Sequence, residues 1–245
     1  MELNFLDYFH QSSKDPFGNK VFIPHDKDEW PDEWKTIYYK SYERFEKIDL
    51  SDEPPTADFF SLIKNRKSKR NFNREPLTKY EISLLLKYSC GITGPPKNAP
   101  QYRAQPSGGA RFPIEVYLIV FRSGLDLKEG LYHYNVRQHK LDVLWKRKFS
   151  DQDLDKLFTY SWAKQAGVAI IMSAVFWRSR NKYGERGYRY ILLEAGHIGQ
   201  NIYLVSQGLN LKCCALGGIN DTNLEKLIDI DGINESIIYG LVVGK

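Results

Sequence analysis

Lys182 and Tyr183 stand side by side, and both side chains can move protons. A neighbouring ammonium stabilises a phenolate, and burial lowers a lysine pKa, so either residue could act as a general base. The alternative is two exposed loop residues. A second group is Arg66, Ser68 and Arg70. In an extended segment alternate residues point the same way. Two guanidiniums and a hydroxyl on one face suit a phosphate, because arginine offers paired donors to its oxygens. The same residues could form a solvated basic edge or a nucleic-acid contact. Pro106-Ser107-Gly108-Gly109 combines glycines, whose backbone can approach a ligand closely, with a hydroxyl donor and acceptor. It lacks the Gly-Lys-Ser/Thr end of a phosphate-binding P-loop, and a tight turn would explain it too. Leu216-Gly217-Gly218 follows a predicted strand and could present amides to the edge of a planar ring, or simply turn. Glu194 and His197, three apart on a helix, could pair or ligate a metal. No second pair accompanies them, so a packing or hydrogen-bonding role is expected and no metal. The paired acids of glycosidases and a Gly-x-Ser-x-Gly turn are not visible.

These groups need elements to hold them. The stretch from Trp177 begins polar and becomes an amphipathic helix, with Tyr188, Ile191, Ala195, Ile198, Ile202 and Val205 on one face and Gly208 placed to stop it. Gly196 and Gly199 lie inside that helix, each costing about 1 kcal/mol relative to alanine. Their backbone is therefore expected close to another helix, a second subunit or a flat cofactor. Pro54-Pro55-Thr56 opens a short helix carrying Phe59, Phe60, Leu62 and Ile63. Thr78-Lys79-Tyr80-Glu81 is a capping box, followed by an apolar face of Ile82, Leu85 and Leu86 and a stop at Gly91. Further helices begin at Ser150 and near Thr222. Gly94 to Pro100 is a loop by composition. Strands are expected at Ile114 to Phe121, Leu211 to Ala215 and Ile237 to Val243. Gly130 to Tyr134 and His139 to Trp145 form a hairpin around Asn135-Val136-Arg137-Gln138. Val168 to Phe176 is continuously apolar and should be buried on both faces. The pattern predicts an α+β fold, a mixed sheet flanked by helices. Residues 1 to 55 differ. Phe5, Tyr8, Phe9, Trp30, Trp34, Tyr38 and Tyr39 are scattered among Pro16, Pro24, Pro31, Pro54 and Pro55. They predict an irregular arm pinned by its aromatics across a main domain at 56–245.

The 245 residues are 42% hydrophobic and 27% charged, ordinary for a globular chain with a real core. Much of the net charge of +5 comes from Lys64 to Arg70, which argues for a local site rather than a nucleic-acid binder. The longest apolar run, Gly167 to Trp177, is strand-sized and far too short to cross a membrane. No secretory signal is visible, and three cysteines without zinc spacing fit neither a disulfide framework nor a metal cluster. A reducing cytoplasm is expected.

The order of the motifs says more than any one of them. Arg66-Lys67-Ser68-Lys69-Arg70-Asn71-Phe72, Arg103 to Ala110, Gly130-Leu131-Tyr132-His133-Tyr134, Tyr190 to Asn201 and Leu216-Gly217-Gly218 together resemble the nitroreductase superfamily. More narrowly the chain resembles the SagB-type dehydrogenases, flavin-dependent azoline oxidases of ribosomal peptide biosynthesis, and Trp30-Pro31 and Lys35 to Tyr39 fit that branch. The resemblance implies a domain-interlocked homodimer with FMN at the interface. It implies that Arg66, Ser68 and Arg70 hold the phosphate and ribityl chain, that Pro106, Ser107 and Gly108 line the flavin, and that Leu216, Gly217 and Gly218 contact the ring. It gives catalysis to Lys182-Tyr183: proton removal from a thiazoline or oxazoline, hydride transfer to the flavin N5, and oxygen as final acceptor. The substrate would be an azoline-containing precursor peptide, with a cyclodehydratase complex as a further partner. The chain stops at Gly244-Lys245, short of the further basic residues many nitroreductases supply, so Lys245 or Arg103 would have to complete the phosphate site. An NAD(P)H-dependent nitro or quinone reductase, or a non-catalytic scaffold of a peptide-modifying complex, are the competing readings.

Overall fold

The structure is a computed structural model that describes Phe9 and residues 26–51, 53–94 and 102–245. Phe5, Tyr8, Pro16 and Pro24 of the arm and 95–101, most of the predicted loop, lie outside the described residues.

Local sequence sets the helix ends. Helix α1 spans Asp32–Lys35. Helix α2 spans Phe59–Asn65 and is capped by Asp58, so the Pro54-Pro55-Thr56 start moves a few residues on. Helix α3, Lys79–Cys90, has the expected capping box: the Glu81 amide donates to Thr78 Oγ1 at 3.1 Å, and the Thr78 amide donates to Glu81 Oε2 at 2.7 Å. Ser150 and Asp153 cap α4, Asp151–Leu157, in the same way. Helices α5, Trp177–Tyr183, and α6, Gly187–Gly208, are separated by a 3-10 turn, Gly184–Arg186. Lys182 and Tyr183 therefore close a helix and do not lie in a loop. Gly184, with φ 55°, makes the corner between them, a conformation that favours glycine. Asn220 caps α7, Asp221–Ile228.

Among the described residues seven strands form one sheet: β1 Lys47–Asp49, β2 Ile114–Val120, β3 Gly130–Asn135, β4 Lys140–Lys146, β5 Val168–Val175, β6 Lys212–Leu216 and β7 Glu235–Gly244, in the order β1-β4-β3-β2-β5-β7-β6. A mixed sheet was expected, yet each of the six neighbouring pairs is antiparallel. The crossover through α6 does return β6 in the direction of β5, but β7 runs between them in the opposite direction. The arm contributes β1 to one edge of the sheet, so it is partly regular.

Period-two alternation sorts the strands onto two cores. Val116, Leu118, Val120, Ile170 and Met172 face α3 and α6, packing with Ile82, Leu85, Leu86, Ile191, Ala195, Ile198 and Ile202. Tyr117, Ile119, Phe121, Ala169 and Ile171 face α4 and α7, packing with Leu154, Leu157, Leu224 and Ile228. Strand β5 is buried on both faces, as its continuous apolar run predicts. Each fully buried isoleucine contributes about 1.5–3 kcal/mol. On α6, Tyr188 and Val205 are half-buried at the margins of the predicted face.

Among the described residues no helix is long and apolar enough to cross a membrane, and no cluster of His, Cys, Asp or Glu is arranged to hold a metal.

Candidate active site

Lys182 is 1% exposed. Its ammonium lies 3.1 Å from the Trp30 ring centroid, 5.4 Å from that of Trp34 and 5.5 Å from that of Tyr183. No carboxylate among the described residues pairs with it. Ring faces replace only part of the water an ammonium gives up. Burial, then the positive charges of Arg111 and Lys27, lower its pKa to about 8. Tyr183 moves the other way. Burial and the neighbouring Tyr190 push its pKa up, which overturns the sequence-based idea of an ammonium-stabilised phenolate. Burial thus favours the uncharged form of both side chains, the amine of Lys182 and the phenol of Tyr183.

The loop before β2 closes onto this pair. Gly109 has φ 62°, and a Cβ there would collide with the Tyr183 hydroxyl and lie 3.2 Å from Lys182 Nζ. The glycine is required by conformation and by space. A Cβ on Gly108 would meet the Tyr190 ring at 3.4 Å. Ser107 Oγ donates to Glu194 Oε2 at 2.5 Å and accepts from the Phe112 amide at 2.9 Å. Gln105 Nε2 donates to the other oxygen of Glu194 at 3.3 Å. Glu194 faces this loop rather than the exposed His197, and burial raises its pKa to about 7 against those hydrogen bonds. The Arg103 guanidinium lies over Phe112, 4.2 Å from the centroid, and over Tyr39 at 5.3 Å. Its Nε and the Oε1 of Gln105 are buried without a hydrogen-bond partner among the described residues. Between loop and arm is a cavity of about 800 Å³ lined by Trp30, Trp34, Arg103, Pro106, Ser107 and Gly109, among others, a size suited to a small-molecule site.

The other predicted residues gather elsewhere. The Lys69 amide donates to the Cys213 carbonyl at 2.9 Å, which lays the basic segment along β6. Arg66 lies over Tyr203 at 5.2 Å, and Ser68 Oγ bonds the Tyr203 hydroxyl at 2.9 Å. That hydroxyl also accepts from the Ala215 amide at 2.8 Å, next to Leu216. Arg70 stacks instead on Trp162 at 5.5 Å, so the three residues do not converge on one ring. Gly218 is held against Thr159, whose Cβ would be 2.8 Å from an added Cβ, while an added Cβ on Gly217 would meet only the Tyr160 hydroxyl, at 4.0 Å. Lys245 Nζ reaches Glu81 at 3.5 Å, and Arg103 belongs to the first group, so within one chain neither joins Arg66 and Arg70.

Helix α6 touches both groups, through Tyr190 and Glu194 near its start and Tyr203 near its end. At 1.5 Å rise per residue, Tyr190 and Tyr203 are roughly 20 Å apart. Sequence reasoning missed Trp30 and Trp34 as pocket walls, Gly109 as the contact of Lys182-Tyr183, and Arg111. The tryptophans' spacing of four and the Gly108-Gly109 pair were the available signals.

The fold and the matched residues define the class: residues 63–245 match the nitroreductase family, and the chain belongs to it. Among curated relatives, MJ1384 of Methanocaldococcus jannaschii is 31% identical over 174 residues, 69% of this chain and 82% of that protein. The trifolitoxin-processing protein TfxB of Rhizobium leguminosarum bv. trifolii is 34% identical over 145 residues, 58% of this chain but only 39% of TfxB. The microcin B17-processing protein McbC of Escherichia coli is 28% identical over 204 residues, 77% of this chain and 73% of McbC. Among solved structures, a nitroreductase-fold protein of Anabaena variabilis has a TM-score of 0.71 and 28% identity, covering 96% of this chain and 45% of its own. The E. coli microcin synthetase McbBCD complex with truncated pro-MccB17 gives a TM-score of 0.63 at 21% identity, covering 98% and 91%. A protein of Exiguobacterium sibiricum solved in complex with FMN gives 0.53 at 12% identity, covering 80% and 90%, a likeness of fold alone.

Proposed function

We propose that this chain is an FMN-dependent azoline dehydrogenase that oxidises thiazoline or oxazoline rings in a ribosomally made peptide. The observation that carries the reading is Lys182: a buried lysine with a lowered pKa and no carboxylate partner among the described residues, beside a phenol and directly behind Trp30 and Gly109, which line the cavity. The chain's similarity to two peptide-processing proteins supports a peptide as the substrate class.

The residues present fit FMN. Arg66 and Arg70 engage aromatic faces and no carboxylate among the described residues, which leaves their donors for a phosphate. Ser68 adds a hydroxyl, Gly217 leaves open backbone, and Arg103 Nε and Gln105 Oε1 are buried polar atoms awaiting partners. Pro106, Ser107 and Gly108 would line the ring. Because the two groups sit at opposite ends of α6, a homodimer is the arrangement that joins them, each subunit completing the other's site. Exposed Phe59, Phe60, Ile63, Leu192 and Leu193 offer an apolar surface for it.

Bound FMN supplies the two-electron acceptor that turning an azoline into an aromatic azole requires. The chain's share is acid–base and positional. Lys182 Nζ, about half unprotonated at pH 8, takes the proton from the ring carbon beside the C=N and carbonyl. The Tyr183 hydroxyl stays protonated and donates a hydrogen bond to the substrate. Trp30 and Trp34 exclude water from the ammonium. A cyclodehydratase complex is the proposed source of the azoline peptide.

Lys182→Ala is expected to lose peptide turnover by at least ~100-fold while keeping stoichiometric FMN in the visible spectrum, and Tyr183→Phe to lose less. Unchanged turnover in both removes them from the chemistry. Steady flavin reduction by NADPH, insensitive to an azoline peptide, would replace this reading with nitro or quinone reduction. Colourless protein that takes up no FMN would leave a scaffold.

A further inference from the structure

We propose that Arg111 is a positioning residue that clamps the arm's two tryptophans over Lys182, making the arm a working wall of the catalytic pocket. The inference rests on Lys182 as the base; the clamp itself is read from geometry.

Arg111 is 1% exposed, and its guanidinium engages three backbone carbonyls. Nε donates to the Arg178 carbonyl at 2.9 Å, Nη1 to that of Trp34 at 2.6 Å and Nη2 to that of Glu33 at 2.6 Å. Glu33 and Trp34 lie in α1, whose carbonyls lack intrahelical partners at its end. Arg178 lies in α5, four residues before Lys182 and so on the same face of that helix. One planar side chain thus spans the gap between arm and α5, the gap in which the Lys182 ammonium sits. A fork of rigid donors can do this, and a lysine ammonium cannot reproduce it. A second tie runs from Trp34 Nε1 to the Asn181 carbonyl at 3.2 Å.

The backbone beside Arg111 carries a matching sign of constraint. Its neighbours Ala110 and Phe112 both have positive φ, 54° and 46°. Left-handed conformations at two non-glycine residues persist only where the surroundings over-determine them. The charged and titratable groups facing Lys182 are Arg111 from the β2 loop, Lys27 from the arm and Tyr183 from its own helix, and the two cations both oppose an ammonium. Releasing the clamp therefore acts twice on Lys182: water enters, and a cation withdraws. Both changes favour the ammonium form.

The test uses the full-length holoprotein. The acylation rate of Lys182 by acetic anhydride, followed by mass spectrometry of the Lys182 peptide, is measured from pH 6 to 11. Wild type is expected to show a midpoint near 8. Arg111→Met should move the midpoint up by about one unit or more, toward the ordinary lysine value. Arg111→Lys, which keeps the charge but not the fork, should move it partway, and both should shift tryptophan emission to the red. The acid limb of kcat/KM, where activity is lost as the base takes up its proton, should move with the amine midpoint. If Arg111→Met does not fold, Arg111→Lys alone decides. An amine midpoint and tryptophan emission unchanged from wild type in the folded variants would overturn the clamp. Shifted amine midpoints combined with full turnover in Lys182→Ala would keep the clamp and remove the base assignment.

Discussion

Across β2, β3 and β4 the buried charges alternate in sign. Arg178 Nη1 meets Glu115 Oε1 at 2.6 Å, and Glu115 Oε2 meets His133 Nε2 at 2.9 Å. His133 Nδ1 meets Asp142 Oδ2 at 3.3 Å, and Asp142 Oδ1 meets Lys47 at 2.6 Å. In the pocket under the arm, Lys182 and Arg111 are as deeply buried, yet rings and carbonyls surround them and no carboxylate pairs with either among the described residues. The chain buries charge in both places but compensates it in one. His133 has a carboxylate at each ring nitrogen: burial opposes its charge, and the bonds to Asp142 and Glu115 outweigh that and raise its pKa. Burial likewise pushes Glu115 up, and Arg178 and His133 pull it further down, to about 2. Compensation shifts these groups toward their charged forms. The uncompensated lysine is the group that can change state. The two regions meet at Arg178, whose side chain anchors α5 to Glu115 while its carbonyl receives Arg111.

The sharpest way to break this contrast is to remove one member from each region. Glu115→Ala leaves Arg178 buried without its anion and His133 with Asp142 alone, and is expected to cost about 3–5 kcal/mol in urea unfolding. Lys182→Met breaks no pair and should hold or raise stability at pH 7. Equal losses would show that the difference in pairing has no energetic meaning.

Glu194 extends the contrast to an acid. Its carboxyl, raised to about 7, keeps a proton in the folded chain that the unfolded chain loses near the ordinary carboxylate value. The cost of ionising it is absent below that ordinary value and complete above 7. Glu194→Gln should therefore gain nothing at pH 4.5 and up to ~3 kcal/mol at pH 8. A pH-independent difference between the two proteins would mean that Glu194 is ionised throughout.

The smallest effects concern the two interior glycines of α6, Gly196 and Gly199. A Cβ on Gly199 would lie 2.7 Å from the Tyr239 ring, whereas one on Gly196 meets nothing within 4 Å. Gly199→Ala should destabilise by about 1–3 kcal/mol through overpacking. Gly196→Ala should stabilise the folded subunit by up to about 1 kcal/mol through helix propensity. If it weakens subunit association instead, measured by sedimentation at decreasing concentration, a partner packs on that face.

Elements governed by near neighbours were legible in the chain itself. The Thr78–Glu81 capping box, the buried face of α6 and the doubly buried β5 all depend on residues within a few turns or on local alternation. The close approach expected at Gly196 and Gly199, to another helix, a second subunit or a flat cofactor, is found within the chain only at Gly199 and to a strand residue, Tyr239 of β7, a partner no local pattern could name. The antiparallel placement of β7 between β5 and β6 was likewise hidden, because pairing is chosen among distant strands.

For the candidate site the division is the same. Residue types and spacing picked out Lys182-Tyr183, the Arg66–Arg70 segment and the two glycine turns. The direction of the Tyr183 shift, the split of the residues between the two ends of α6 and the wall built by Trp30, Trp34 and Arg111 came from tertiary contacts. Trp34 and Asn181 bond across 147 residues of chain. A capping residue acts on a backbone it is covalently tied to, so sequence fixes it. The basicity of a lysine depends on which groups displace its water, and only the folded chain decides which those are.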